Sequence, residues 1–180
     1  MISLNKCALV VEGTNDVSYL SSFIEGEIVS VNGLEVKRDT VEYLKELEKV
    51  KKIIILADPD EAGEKIAIKI SKELSNYEIV NVDITKCTRS KKNGIAECDK
   101  GEILYKLSGF LLEKPLKTER LLSLVDIENI KGRYHVGNQD ICNEFHLGNV
   151  NTKTMIKRLN ALELSLVEIE NRLKKKYGNK

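Results

Sequence analysis

Tryptophan is absent from this chain, and proline and histidine each occur only twice in 180 residues. The two histidines, His135 and His146, lie far in sequence from any candidate nucleophile or acid cluster. Each reads as a structural or surface residue, so histidine-based acid–base chemistry is not expected. The aromatic residues are six tyrosines and three phenylalanines. They form no clear platform on which splayed bases would stack. Four cysteines, Cys7, Cys87, Cys98 and Cys142, contain no CxxC pair. That excludes a zinc ribbon, and nothing in their spacing resembles a disulfide framework. No apolar run approaches the ~20 residues that cross a bilayer. No basic region followed by an apolar core opens the chain. The expected compartment is therefore a reducing cytoplasm, with no membrane partner. Internal repeats and low-complexity segments are also missing.

Net charge is +1, so composition alone does not announce a polyanionic partner. Its distribution is more informative. Residues 1–110 carry 16 basic and 19 acidic side chains, whereas residues 111–180 carry 13 and 9. An acidic front and a basic back give mild support for a polyanion, although charged faces are commonly just solvated. With 42% hydrophobic and 32% charged residues the chain suits a globular protein with a highly charged surface.

Strand-like and helix-like segments alternate along the first hundred residues. Cys7 to Val11 is an apolar strand ended by Glu12-Gly13. "TNDVSYLSSFI" follows as a helix with Val17, Leu20, Phe23 and Ile24 in its stripe. "EIVSVNG" is a second strand closed by the Asn32-Gly33 turn signal. "DTVEYLKELEKV" is a helix with Val41, Leu44, Leu47 and Val50 inward, and "KKIIILADPD" is the third strand. "EAGEKIAIKISKEL" and "YEIVNVDI" supply a third helix and a fourth strand. Fully apolar strands of this kind are covered by helices on both faces, which predicts an α/β fold with a largely parallel central sheet. A basic loop and a short helix to Leu107 follow. The remainder reads as helices separated by Gly132, Gly137 and Gly148, with a break near Leu164-Ser165. The expected division is a domain over 1–108, a linker over 109–121 that holds Pro115, and a helical domain over 122–180.

Glu12 ends the first strand, and Asp58 and Asp60 end the third. In a parallel sheet these ends share one rim, where functional crevices lie. Residues two apart in extended chain point the same way, and Pro59 stiffens the pair. Carboxylates gathered there repel one another unless a cation intervenes. An all-oxygen donor set suits a hard ion, Mg²⁺ or Mn²⁺. Asp60 equally suits the N-cap of the following helix, with Glu61 and Glu64 in its first turn. Capping accounts for one acid but requires neither Asp58 nor Glu12. Gly13 and Gly33 would let backbone approach a phosphate closely.

"VVEG" followed by "ADPD" resembles the marks of a Toprim domain, over about residues 5–108. Toprim domains occur in topoisomerases, primases, OLD-type nucleases, recombination mediators and small RNA maturases. The strand-cleaving scaffold of a topoisomerase and the zinc modules of primases and recombination mediators find no counterpart here. What remains resembles the ribonuclease M5 family of 5S ribosomal RNA maturases. "VVEGTNDV", "VNGLEV", "IILADPDEAGEKI" and "KKNGIAE" resemble its first-half motifs. "FHLGNVNTKTMIKRLNAL" resembles the signature of its small C-terminal helical domain.

The resemblance implies a Mg²⁺-dependent endoribonuclease that trims 5S ribosomal RNA precursor on both strands of its terminal stem, leaving 5′-phosphate ends. It implies a 5S-binding ribosomal protein as assisting partner. It makes Asp58 and Asp60 principal metal ligands and Glu12 a ligand or the general base. It adds Glu97 and Asp16 to a second metal position or to the ordering of its waters. It lifts two basic clusters above the solvated-face reading: Lys86, Arg89, Lys91 and Lys92 before Glu97, and Lys153, Lys157 and Arg158 on the C-terminal helix. Two other readings stay open. One is a Toprim nuclease acting on DNA or another structured RNA. The other is a non-catalytic nucleic-acid-binding module.

Overall fold

The computed structural model describes residues 1–33, 35–87, 94–113 and 121–178. The chain divides into two compact units, Met1–Leu116 and Lys117–Lys180.

The first unit is built on a four-stranded sheet. Its strands are β2 (Cys7–Val11), β4 (Ile28–Ser30), β5 (Lys52–Ala57) and β6 (Tyr77–Asn81), in the order β4-β2-β5-β6 and all parallel. β2 and β5 run through the middle and read as unbroken apolar segments because both faces are covered. Successive side chains serve opposite layers. Cys7, Leu9, Val11, Ile54 and Leu56 pack with Leu20 of α1 (Thr14–Ser21) and Ile103 of α4 (Lys100–Lys106). Tyr43, Leu44 and Leu47 of α2 (Arg38–Leu47) are fully buried, as is Ile70 of α3 (Glu61–Ser71), and both helices contact β5. The sheet is thus the middle of three layers, and the expected α/β class holds.

The order of the strands matters for function. From β2 the chain crosses to β4 on one side, and from β5 it crosses to β6 on the other. The switch point lies between β2 and β5, where the carboxyl ends of the two central strands open a crevice.

Several expectations need correction. A second small sheet was not foreseen: β1 (Ile2–Leu4) lies between β3 (Ile24–Glu25), parallel, and β7 (Leu111–Leu112), antiparallel. Strands of two or three residues leave no period to read. β3 takes Ile24 out of the first helix, which stops at Ser21. In α2 the buried positions are Thr40, Tyr43, Leu44 and Leu47, while Val50 lies beyond the helix and is exposed. Tyr43 is accommodated because its hydroxyl donates to the buried Glu27 carboxylate at 3.0 Å. β6 is an edge strand with only Val80 buried. Cys87 and Cys98, eleven residues apart, are joined as a disulfide, against the expectation of unpaired cysteines, whereas Cys7 and Cys142 are free and buried.

The second unit is helical: α5 (Leu124–Tyr134), α6 (Asn138–Glu144), α7 (Thr152–Ala161) and α8 (Leu166–Tyr177). Ile127, Ile130, Ile141, Phe145, Met155, Leu159, Ile169 and Leu173 form its interior. Gly132 does not separate helices but sits inside α5, which ends instead at His135 in a left-handed conformation. The break near Leu164-Ser165 is present. Glu163 has a positive φ, and Ser165 caps α8 in a reciprocal box with Glu168. Among the described residues no helix is long and apolar enough to cross a membrane.

Candidate functional site

β2 ends at Val11 and β5 at Ala57, and the two are hydrogen-bonded neighbours with Val10 opposite Ile55. Glu12 and Asp58 therefore leave the sheet side by side at the switch point. The Glu12 carbonyl is pinned by the Asn32 N–H at 2.9 Å and the Ser30 hydroxyl at 3.1 Å, which extends the β2–β4 pairing past the strand's end. Asn32 and Gly33 both carry positive φ, and a Cβ on Gly33 would meet nothing within 4 Å. Glycine serves the turn there, and the side a Cβ would occupy is open.

Asp60 is the N-cap of α3, its Oδ1 accepting from the Gly63 N–H at 2.8 Å. The capping expectation thus describes one of its oxygens. Gly63 has a role that sequence reasoning missed. A Cβ there would lie 2.4 Å from the Asp58 carbonyl oxygen, so only glycine lets the helix start this close to the strand end. A glycine in a helix's first turn, where it costs stability, is the signal that marks such a position.

Asp16 is buried in the first turn of α1. Its Oδ2 accepts from the Gly13 N–H at 2.9 Å, half of a capping box. Its Oδ1 accepts from the Ala96 N–H at 3.0 Å, eighty residues away. The neighbouring Ile95 N–H donates to Asp58 Oδ1 at 3.0 Å. A short turn, Ile95–Glu97, thus lies over the rim with two consecutive amides on two of its acids. This turn is the second feature that the sequence did not announce, since backbone donors leave no mark in residue type.

The electrostatics follow from the crowding. Burial, then the Asp16 charge, pushes the Asp58 carboxyl up to about 7, with Glu12 and Asp60 adding to the rise and the Ile95 amide opposing it. Burial first, then Asp60 and Asp16, also raises Glu12. No described lysine or arginine contributes to either shift. Four acids crowd this rim, and no cationic side chain among the described residues relieves Asp58 or Glu12. Among the described residues no three side chains converge closely enough to hold an ion as they stand. The donor set, all oxygen, nonetheless fits a hard divalent ion.

Glu97 ends the covering turn, half-buried, and no hydrogen bond or ion pair among the described residues involves its carboxylate. Gly13 is in extended conformation with its N–H on Asp16. Lys86 is exposed at the end of a short turn, Ile84–Lys86. Arg89, Lys91 and Lys92 lie outside the described residues. In the second unit Lys153 and Lys157 are exposed on α7. Arg158 is different: its guanidinium donates to the Leu147 carbonyl, so it braces the loop before α7. The first turn of α7 is not wholly open to a ligand either, because Asn151 accepts from the Thr154 N–H at 2.9 Å. His135 and His146 stand exposed with left-handed backbones in the second unit.

Comparison with known proteins extends this picture. A model of the Toprim domain matches residues 7–87, from β2 through β6 to Cys87. Ribonuclease M5 of Mycoplasma genitalium is 28% identical over 172 residues, which covers 92% of this chain and 93% of the relative. Ribonuclease M5 of Clostridium acetobutylicum is 27% identical over 173 residues, covering 92% and 91%. Ribonuclease M5 of Mycoplasma capricolum is 30% identical over 171 residues, covering 92% and 93%. The likeness runs through both units and not only through the Toprim portion, and on that extent and identity the chain belongs to the ribonuclease M5 family.

Proposed function

We propose that this chain is a divalent-metal-dependent endoribonuclease that matures 5S ribosomal RNA precursor, cutting both strands of its terminal stem and leaving 5′-phosphate ends. The observation that carries this reading is the near end-to-end similarity to relatives named Ribonuclease M5. The four-acid rim at the switch point supplies matching chemistry. Mg²⁺ is the ion of choice and Mn²⁺ a substitute, by the hardness of the donors.

Asp58 and Asp60 are the principal ligands, each with one oxygen already fixed by a backbone amide. A divalent ion bound there supplies charge neutralisation at the scissile phosphate and a water acidic enough to attack near neutral pH. Glu12 serves as ligand or as the base that accepts the water's proton. Its upward shift brings it nearer to operating pH, as a general base requires. Asp16 and Glu97 complete a second metal position or order its waters. Lys86 at the end of its exposed turn and Lys153 and Lys157 on α7 contact phosphates, and duplex shape rather than base stacking selects the substrate. A 5S-binding ribosomal protein presents the precursor in the cleavable form.

The test is direct. End-labelled 5S precursor and a duplex DNA of equal length are incubated with the protein in Mg²⁺ or EDTA, with and without the 5S-binding ribosomal protein. Discrete Mg²⁺-dependent RNA products with 5′-phosphates are expected. Tight RNA binding with no scission in any mixture would leave a binding module in place of an enzyme. Preferential DNA cleavage would move the substrate.

A further inference from the structure

The turn that covers the acid rim is preceded by Gly94, and its backbone is ordinary. Gly94 has φ −85° and ψ 167°, extended values that any residue adopts. Conformational freedom therefore does not explain a glycine here. Space does. A Cβ on Gly94 would lie 3.3 Å from Asp58 Oδ2 and 3.8 Å from Asp16 Oδ1. The first distance is tighter than ordinary van der Waals contact, so a Gly94 side chain would force the Asp58 carboxylate to give by a few tenths of an ångström. The next two amides, of Ile95 and Ala96, donate to Asp58 Oδ1 and Asp16 Oδ1, both at 3.0 Å.

We infer that Gly94 is a positioning residue: its bare backbone lets the Ile95 and Ala96 amides close on Asp58 and Asp16 as a clamp that fixes both carboxylates for the ion. This inference rests on the metal-dependent reading of the rim. The clamp is fastened on its far side. Asp99 N–H donates to the Lys86 carbonyl at 2.8 Å, Cys98 is bonded to Cys87, and the Tyr19 hydroxyl of α1 donates to the Cys98 carbonyl at 2.8 Å. Ile95 and Cys98 are fully buried in the cluster behind the turn. With the turn anchored on this C-terminal side, a side chain at residue 94 presses on the Asp58 carboxylate. A hydrogen bond that orients a metal ligand has a known scale: its loss typically costs ~10–100-fold in metal affinity or activity.

Substitution at residue 94 separates this role from general packing. Gly94→Ala keeps the backbone angles and adds one methyl against Asp58 Oδ2. Gly94→Val adds a branched side chain to the same place. The measurements are Mn²⁺ binding by titration calorimetry, cleavage kinetics on 5S precursor across Mg²⁺ concentration, and amide hydrogen exchange of the peptide spanning residues 94–98 in EDTA. For Gly94→Ala, metal affinity should weaken ~10-fold, with KM for RNA unchanged and kcat restored at raised Mn²⁺. For Gly94→Val the loss should approach ~100-fold, with exchange of the Ile95 and Ala96 amides accelerated and the rest of the exchange map intact. Wild-type metal affinity in both variants, with those amides still protected, would overturn the clamp. A changed KM with unchanged metal dependence would also overturn it, placing residue 94 against RNA. Wild-type protein that binds no Mn²⁺ would sink the metal reading itself, while the exchange data would still decide whether the amides grip the acids.

Discussion

The same local device opens helices in both units, and it is used differently in each. α1, α6 and α8 each carry an acid at their third residue that turns back on the helix start: Asp16, Asp140 and Glu168. In the second unit the device stays local. Asp140 accepts from the Gly137 N–H, and Glu168 from both the N–H and the hydroxyl of Ser165. Those Ser165 hydrogen bonds hold the Glu168 carboxyl below its ordinary range. In the first unit Asp16 reaches beyond its helix to Ala96 and adds its charge to a rim where Asp58 and Glu12 are pushed up. Asp140 and Glu168 thus lie where local hydrogen bonds satisfy them. The rim acids Glu12 and Asp58 are instead crowded by other acids, and such raised carboxyls in a crevice mark a candidate functional site.

Removing the central acid breaks that contrast most severely. Asp58→Asn should lower kcat on 5S precursor by ~10³-fold, about 4 kcal/mol of transition-state stabilisation. The same change should leave the metal-free fold as stable as before or more so, because it removes a repelled charge. Cleavage that persists within tenfold of wild type would take Asp58 out of the ligand set. Glu168→Gln in the second unit should do neither. A thermal melt paired with single-turnover kinetics reads both halves.

The pH dependence of the metal-free protein comes next in size. Asp58 has a folded-state pKa of about 7 against an ordinary 3.8. A carboxyl raised on folding stabilises the folded state fully below its unfolded pKa, and that contribution is lost as pH rises through the folded value. Stability in EDTA should therefore fall between pH 4 and 7, and saturating Mg²⁺ should flatten the decline by stabilising the ionised rim. Partial exposure of Asp58 keeps the effect below the full shift. Melts in EDTA from pH 4.5 to 8, for wild type and Asp58→Asn, test it: equal slopes in the two proteins would mean that Asp58 is not the group that titrates.

The central strands, their order of appearance and the three rim acids were legible because each leaves a mark in residue type. Buried parallel strands read as continuous apolar runs, as at Ile53–Leu56, and acids at their ends stand out against them. What escaped notice depends on backbone or on distance. The Ile95 and Ala96 amides are invisible in sequence and meet partners 37 and 80 residues away. Gly94 and Gly63 look like turn and helix glycines until the structure shows Asp58 against both. Tyr43 replaced Val41 at the α2 interface because Glu27, sixteen residues earlier, could receive its hydroxyl. Arg158 looked like part of a phosphate-binding face, and only the fold shows it holding the Leu147 carbonyl.

That last point sharpens how the second unit should be probed for RNA contact. Lys153→Ala and Lys157→Ala together should weaken binding of 5S precursor several-fold in moderate salt. Each lost phosphate contact should also reduce the slope of log affinity against log salt by about 1. Single-turnover cleavage at saturating protein should stay unchanged, unlike Asp58→Asn. Filter binding over a range of salt measures this, and an unaltered slope would remove α7 from the RNA surface. Arg158→Ala should instead lower stability, because it leaves the Leu147 carbonyl without its guanidinium partner.

The smallest effect belongs to the satisfied cap. The Ser165 hydroxyl both donates to Glu168 Oε2 at 2.6 Å and accepts from the Glu168 N–H at 3.3 Å. Ser165→Ala removes both and leaves one helix donor to water, at a cost of about 1 kcal/mol. α8 places Ile169 and Leu173 in the interior of the second unit, so the loss should appear as a lower melting temperature. Neither the metal affinity nor the single-turnover rate should move. A change in metal affinity on Ser165→Ala would contradict the contrast drawn above, because it would make a locally satisfied acid of the second unit answer to the chemistry of the first.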